Sequence, residues 1–200
     1  GYMKILILGP AFPFRGGIAD TNEALARAIN RSGNTSQIIT FSLQYPEFLF
    51  PGKTQYSEDH PPKDLQIYQW INSVNPVNWI KTARRINNLK PDLVVVRYWL
   101  PFMAPSLGSI TKMLNKKIKT IAVTDNIIPH EKRPGDKLLT KYFISSCDGF
   151  ITLSRSVKEE LKDFTDNPTT YFPHPINDHL GEKVNKEKAK EYLSLRQDVN

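Results

Sequence analysis

Gly16 and Gly17 stand between an apolar run, Ile5–Leu8, and a helical pattern, with Pro10, Pro13 and Arg15 on the approach. A glycine pair lets main chain come close to a ligand, and a helix start offers unpaired N–H groups with partial positive charge. That chemistry suits an anion such as a sugar diphosphate, with Arg15 beside it; the same glycines equally suit a tight turn that only reverses the chain. Neither the P-loop spacing nor Gly-x-Gly-x-x-Gly is present. The segment TDNIIPHE places Asp125, Asn126, His130 and Glu131 close together in sequence. Asp and His are general-base candidates, and each is also an ordinary solvated or capping residue. Tyr98 and Trp99 offer aromatic faces to a sugar or lipid chain, or to the core. Ser154 precedes a helical pattern as a cap would. His174 lies between Pro173 and Pro175, which restrict its backbone. The four histidines lack ligand spacing and no Asp-x-Asp occurs, so neither a metal nor a resident cofactor is expected. The single cysteine, Cys147, reads as a small buried apolar residue and excludes an internal disulfide.

These residues sit between short apolar runs that alternate with helical stretches. Strands are expected at Met3–Leu8, Gln37–Phe41, Leu65–Ile71, Asp92–Tyr98, Ile118–Val123, Gly149–Leu153 and Thr169–Phe172. Helices are expected at Ile18–Ile29, from the Asn75-Pro76 start to about Leu89, and at Pro105–Asn115, Asp136–Ser146, Ser156–Phe164 and Lys186–Leu195. The polar segment Gln44–Asp64 reads as loop or lid. This alternation predicts an α/β fold: a Rossmann-like three-layer α/β/α domain around an open parallel sheet of about seven strands. Right-handed crossovers gather every strand's carboxyl end on one edge, and ligands of such sheets bind there, where strand order reverses. All the candidates named above follow strands.

Hydrophobic residues make up 40% of the 200-residue chain and charged residues 24%, ordinary values for a globular protein. No run approaches a membrane span and no signal peptide is visible; Gly1-Tyr2 is set aside as preceding Met3. The net charge of +7 is scattered and accompanied by no nucleic-acid-binding signature, so nucleic acid is not an expected partner. A cytoplasmic location, with contact at the inner membrane face, fits the charge and the lone cysteine.

"MKILILGPAFPFRGGIAD" resembles the opening strand, glycine loop and first helix of family 4 glycosyltransferases, the group 1 enzymes of the GT-B fold. "KPDLVVVRYW", "KTIAVTDNIIPHE", "CDGFITLSRSVKEEL" and "YFPHPIND" are similar to later family segments in matching order. The resemblance implies the amino-terminal, acceptor-binding domain over residues 3–180. Residues 181–200 would then be a linker helix leading to a donor-binding domain, whose Glu-x7-Glu element this sequence lacks. It implies retaining transfer of a hexose-type sugar from a nucleotide-diphosphate co-substrate to a glycan or lipid-linked acceptor, as in bacterial polysaccharide biosynthesis. Gly16 and Gly17 match the loop near the donor diphosphate. Many relatives carry His-Asn or His-Asp where this chain has Asp125-Asn126, so Asp125 is the catalytic candidate toward the acceptor hydroxyl. Tyr98, Trp99, Asn126, His130, Glu131, Ser154 and His174 would line the acceptor cleft. Two alternatives remain: a non-catalytic acceptor-binding or membrane-recruiting module of a two-chain enzyme, and an unrelated Rossmann-like nucleotide binder.

Overall fold

The computed structural model describes residues 2–46, 55–125, 127 and 133–173. Seven strands form one sheet in which every pairing is parallel: β1 Lys4–Leu8, β2 Thr35–Leu43, β3 Ile67–Asn72, β4 Leu93–Tyr98, β5 Lys119–Thr124, β6 Gly149–Thr152 and β7 Thr169–Tyr171. Their order is β3-β2-β1-β4-β5-β6-β7. The direction of winding therefore reverses between β1 and β4, and a crevice opens above their carboxyl ends. The α/β open parallel sheet is as expected, and the expected elements differ from those observed mainly at their ends.

Helix α1, Gly17–Arg31, links β1 to β2 on one face of the sheet. Its buried residues include Leu25, Ala26 and Ile29, which pack on Ile5, Ile7, Ile38, Leu93 and Val95. The other face carries α2 Pro76–Leu89, α3 Ser109–Lys112, α4 Asp136–Ile144 and α5 Arg155–Leu161. Ala83, Ile110, Phe143 and Leu161 from these helices close on Leu6, Leu8, Val94, Val96 and Tyr98. β4 is buried at all six positions, as a central parallel strand covered on both faces must be.

Local chemistry explains the ends. Asn75 caps α2 by accepting from Val77 N at 3.0 Å and Asn78 N at 3.4 Å, with Pro76 in the first turn. Pro105–Asn115 is not one regular helix. A 3-10 turn, Pro101–Met103, and a π-helical turn, Ala104–Gly108, lead into α3. Two prolines in the first turns remove main-chain donors there. Gly108 lies so close to α4 that an added Cβ would stand 3.0 Å from the Tyr142 ring. The expected helix at Lys186–Leu195, and with it the linker 181–200, lies outside the described residues.

Candidate functional site at the switch point

β1 ends at Leu8, and the loop that follows uses up its own donors. Gly9 N donates to Ile39 O at 3.2 Å, Ala11 N to Thr40 Oγ1 at 3.1 Å and Phe12 N to Glu23 Oε2 at 3.2 Å. Phe14 N donates to Ala11 O and Arg15 N to Gln55 O, both at 2.9 Å. Pro10 and Pro13 have no N–H to give. Phe14 seals the loop from below, edge-on to Phe41 at 6.3 Å and stacked on Tyr56 at 5.4 Å. Everything up to Arg15 is thereby fixed, and the next free donors are those at the start of α1.

Gly16 takes φ 130, outside the range L side chains adopt easily, and it carries no side chain to cap the helix. The first-turn N–H groups of Gly17, Ile18 and Ala19 have no intrahelical acceptor. A Cβ on either Gly16 or Gly17 would meet nothing within 4 Å, so the space above the pair is open. The two glycines differ in kind: the backbone requires Gly16, whereas nothing packed against Gly17 requires it. Arg15 is exposed beside them.

Strand alternation sets the second half of the site. Along β4, Leu93 and Val95 face α1, and Arg97 follows them to the same side, while Tyr98 turns to the opposite core. Arg97 is 3% exposed. Its Nε and Nη2 each donate to a different oxygen of Asp125, both at 2.8 Å, a bidentate pair formed just past the end of β5. Its Nη1 lies 3.5 Å from Asn22 Oδ1, and Asn22 Nδ2 donates to Pro10 O at 2.8 Å. A buried guanidinium persists only when paired and hydrogen-bonded, and this chain of contacts supplies both. Gly9 permits the close approach: a Cβ there would stand 2.9 Å from both Arg97 Cβ and Asn22 Nδ2. The loop after β1, helix α1, β4 and the end of β5 are thus tied through one polar chain.

Asp125 lies on the predicted edge, in the same polar chain as the loop that carries Gly16 and Gly17. Both of its oxygens accept from Arg97, and 23% of its side chain stays exposed. Tyr98 is a correction: it does not line a cleft. The side chain is fully buried and stacks on Phe143 with 4.1 Å between ring centroids, because β4 extends through Tyr98 and sends it into the core. Burial pushes its phenol well above the ordinary value. Trp99 is the first residue beyond the sheet and is half-buried. Its Nε1 donates to Tyr45 Oη at 2.8 Å, and its ring meets Phe41 edge-on. Ser154 caps α5, accepting from Val157 N at 3.2 Å. Asn126, His130, Glu131 and His174 lie outside the described residues. Among the described residues no three His, Cys, Asp or Glu side chains gather where they could hold a metal ion.

Sequence reasoning missed Arg97, Asn22 and the steric role of Gly9. A visible signal existed for two of them. Arg97 is the one charged residue in the apolar run LVVVRY, and Asn22 interrupts the apolar stripe of α1 at helical spacing from Leu25 and Ile29.

The family model described as Glycosyltransferase Family 4 matches residues 15–180. The chain belongs to glycosyltransferase family 4. Its seven-stranded open parallel sheet is the α/β fold shared with solved glycosyltransferases. Among solved structures, sucrose-phosphate synthase from Thermosynechococcus elongatus superposes with TM-score 0.60 at 10% identity, over 94% of this chain and 99% of that one. An α-glucosyltransferase in complex with UDP-glucose and DNA superposes with TM-score 0.59 at 11% identity, over 86% of this chain and 42% of that one. UDP-N-acetylglucosamine 2-epimerase from Rickettsia bellii gives TM-score 0.54 at 12% identity, over 95% and 48%. The family 4 domain thus spans under half the length of the last two. No curated protein sequence matches the chain.

Proposed function

We propose that this domain is the acceptor-side half of a retaining glycosyltransferase that moves a sugar from a nucleotide-diphosphate donor to a glycan or lipid-linked acceptor. The observation that carries this reading is the site's division of labour: a loop with its own donors spent, ending in open main-chain N–H groups, and tied through Asn22 and Arg97 to the partly exposed carboxylate of Asp125. Charge grows on the departing diphosphate in the transition state. Preorganised N–H groups at the α1 start stabilise it without having to reorient, and removing one such donor costs about 10²–10³ in rate. Main chain and helix end meet this charge in place of a divalent ion. Asp125 receives the proton of the acceptor hydroxyl while Arg97 keeps the carboxylate oriented. UDP-glucose, the ligand of the α-glucosyltransferase neighbour, belongs to the donor class this arrangement suits. Most donor contacts come from a second domain joined through residues 181–200, in keeping with the 42% and 48% of the neighbours that this chain spans.

The test is a labelled-sugar transfer assay. The 200-residue chain alone is expected to transfer nothing, and the chain joined to its donor-binding half to turn over. In the joined enzyme Asp125→Asn, which keeps an acceptor for Arg97, is expected to lower kcat about 10²–10⁴-fold while Tm falls by only about 2–4 °C. Robust transfer by the 200-residue chain alone overturns the half-enzyme reading. Tight nucleotide binding by that chain without transfer favours a Rossmann-like nucleotide binder.

A further inference from the structure

The helices α2, α3 and α4 lie side by side on the sheet face opposite α1, and their outer surface is chemically unlike that of the other described helices. Asp92 is the sole acidic residue between Asp64 and Asp125, a span in which lysine and arginine recur throughout. Asp92 is already engaged at the sheet's amino edge, accepting from Lys4 N at 2.8 Å. The one acidic residue of α4, Asp136, is buried and accepts from Arg133 N. What these helices expose is Lys81, Arg84 and Arg85 on α2, Lys112 on α3, and Lys137 and Lys141 on α4.

Large apolar side chains stand exposed among these cations. Val77 is 62% exposed, Ile80 46%, Met113 38%, Leu138 74% and Tyr142 37%. Single exposed apolar residues need no explanation, but among the described residues most of the strongly exposed ones fall on this one helix layer. The layer is braced. Asn87 Nδ2 donates to Met113 O at 3.2 Å and Asn87 Oδ1 accepts from Asn115 N at 2.9 Å, joining α2 to the end of α3. Ser109 Oγ and Tyr142 Oη are 2.6 Å apart, joining α3 to α4. At the amino edge the same seam borders a groove of about 610 Å³ that Lys90, Lys116 and Lys117 help to line.

We propose that the outer face of α2, α3 and α4 docks on an anionic lipid surface. A cationic face with protruding aliphatics fits a surface that is negative outside and apolar beneath, which describes a bilayer rich in acidic headgroups. A second copy of the same face would set like charges against each other. Nucleic acid would satisfy the charge but gives Val77, Ile80 and Leu138 nothing apolar to enter. No helix among the described residues is long and apolar enough to cross a membrane, so the contact is peripheral. The proposal goes beyond the glycosyl-transfer reading and stands without it, because none of the residues named on this face joins the Asp125–Arg97–Asn22 chain and binding needs no turnover. The two together would set the sheet parallel to the bilayer, with its carboxyl edge open along the membrane plane to a lipid-linked acceptor.

The experiment is flotation of the full chain with phosphatidylcholine vesicles, with and without about one third phosphatidylglycerol, at about 0.1 M and about 0.5 M salt. Binding is expected on the anionic vesicles alone and is expected to weaken at the higher salt. Each basic residue near such a surface contributes about fivefold in partitioning, so Lys81→Glu with Arg84→Glu is expected to lower it at least about 25-fold. Leu138→Asp, on a side chain 74% exposed, is expected to weaken it with an unchanged Tm. Equal binding to neutral vesicles, no binding to either kind, wild-type partitioning by both variants, or retention on duplex DNA in place of vesicles would each overturn the proposal.

Discussion

Replacing Asp125 with alanine removes both acceptors from the Arg97 fork and leaves that guanidinium, 3% exposed, with only Asn22 Oδ1 at 3.5 Å. Stripping one partner from a buried pair costs about 3–5 kcal/mol, because the remaining charge is desolvated and unpaired. Asp125 is 23% exposed, so water can reach the vacated place and the cost falls at the lower end, about 3 kcal/mol. In a chain of this length that lowers Tm by about 6–12 °C. Asp125→Asn keeps one acceptor and is expected to lose about 1 kcal/mol. Arg97→Met combined with Asp125→Ala removes the stranded charge and is expected to recover most of the loss, which gives a coupling of about 2 kcal/mol. Urea denaturation of wild type, Asp125→Ala, Asp125→Asn, Arg97→Met and the double variant reads these values directly. If Asp125→Ala stays within about 0.5 kcal/mol of wild type and the two changes simply add, the pair does not hold the switch point together.

Three further outcomes follow from the packing around this site and from two groups that burial perturbs. Gly9→Ala pushes a methyl to 2.9 Å from Arg97 Cβ and is expected to destabilise by about 1–3 kcal/mol in thermal melts; a neutral result would mean that α1 and β4 separate easily. Burial pushes the Cys147 thiol up to about 12, so a disulfide-exchange reagent is expected to label it only as fast as the protein unfolds, and rapid labelling under native conditions would contradict that burial. Burial also raises the Glu23 carboxyl above its ordinary value, outweighing the Phe12 N–H and Arg27 that lower it. The folded state then holds this proton more tightly than the unfolded chain, and the stability it brings is lost as pH rises through the folded value. Glu23→Gln is therefore expected to melt above wild type near neutral pH, with the gap closing below about pH 4, and a lower Tm at neutral pH would contradict this.

The parts of the fold that local chemistry dictates were readable in the chain. The Asn75-Pro76 start of α2, the Ser154 cap and the doubly buried β4 each rest on residues adjacent in sequence. The irregular entry to α3 was not, since prolines there act together with the tertiary contact between Gly108 and Tyr142. The place of Gly16 and Gly17 at the β1-to-α1 junction was legible because a strand-to-helix glycine pair acts locally. Arg97 was not, because its meaning depends on β4–β5 pairing that brings Asp125, 28 residues on, beside it. Tyr98 was misjudged for a related reason. Whether the last residue of a strand faces a crevice or a core depends on strand parity and on where the sheet stops.

The central claim is that an anion sits over the open start of α1 during sugar transfer. Gly17→Val in the enzyme carrying its donor-binding half tests it most directly, since a Cβ at Gly17 meets nothing within 4 Å, so that a loss of rate with Tm held reports on what binds there. Steady-state transfer is predicted to fall by about 10²-fold or more while Tm holds. Unchanged kinetics in that variant would contradict the claim and reduce the glycine pair to a bend in the chain.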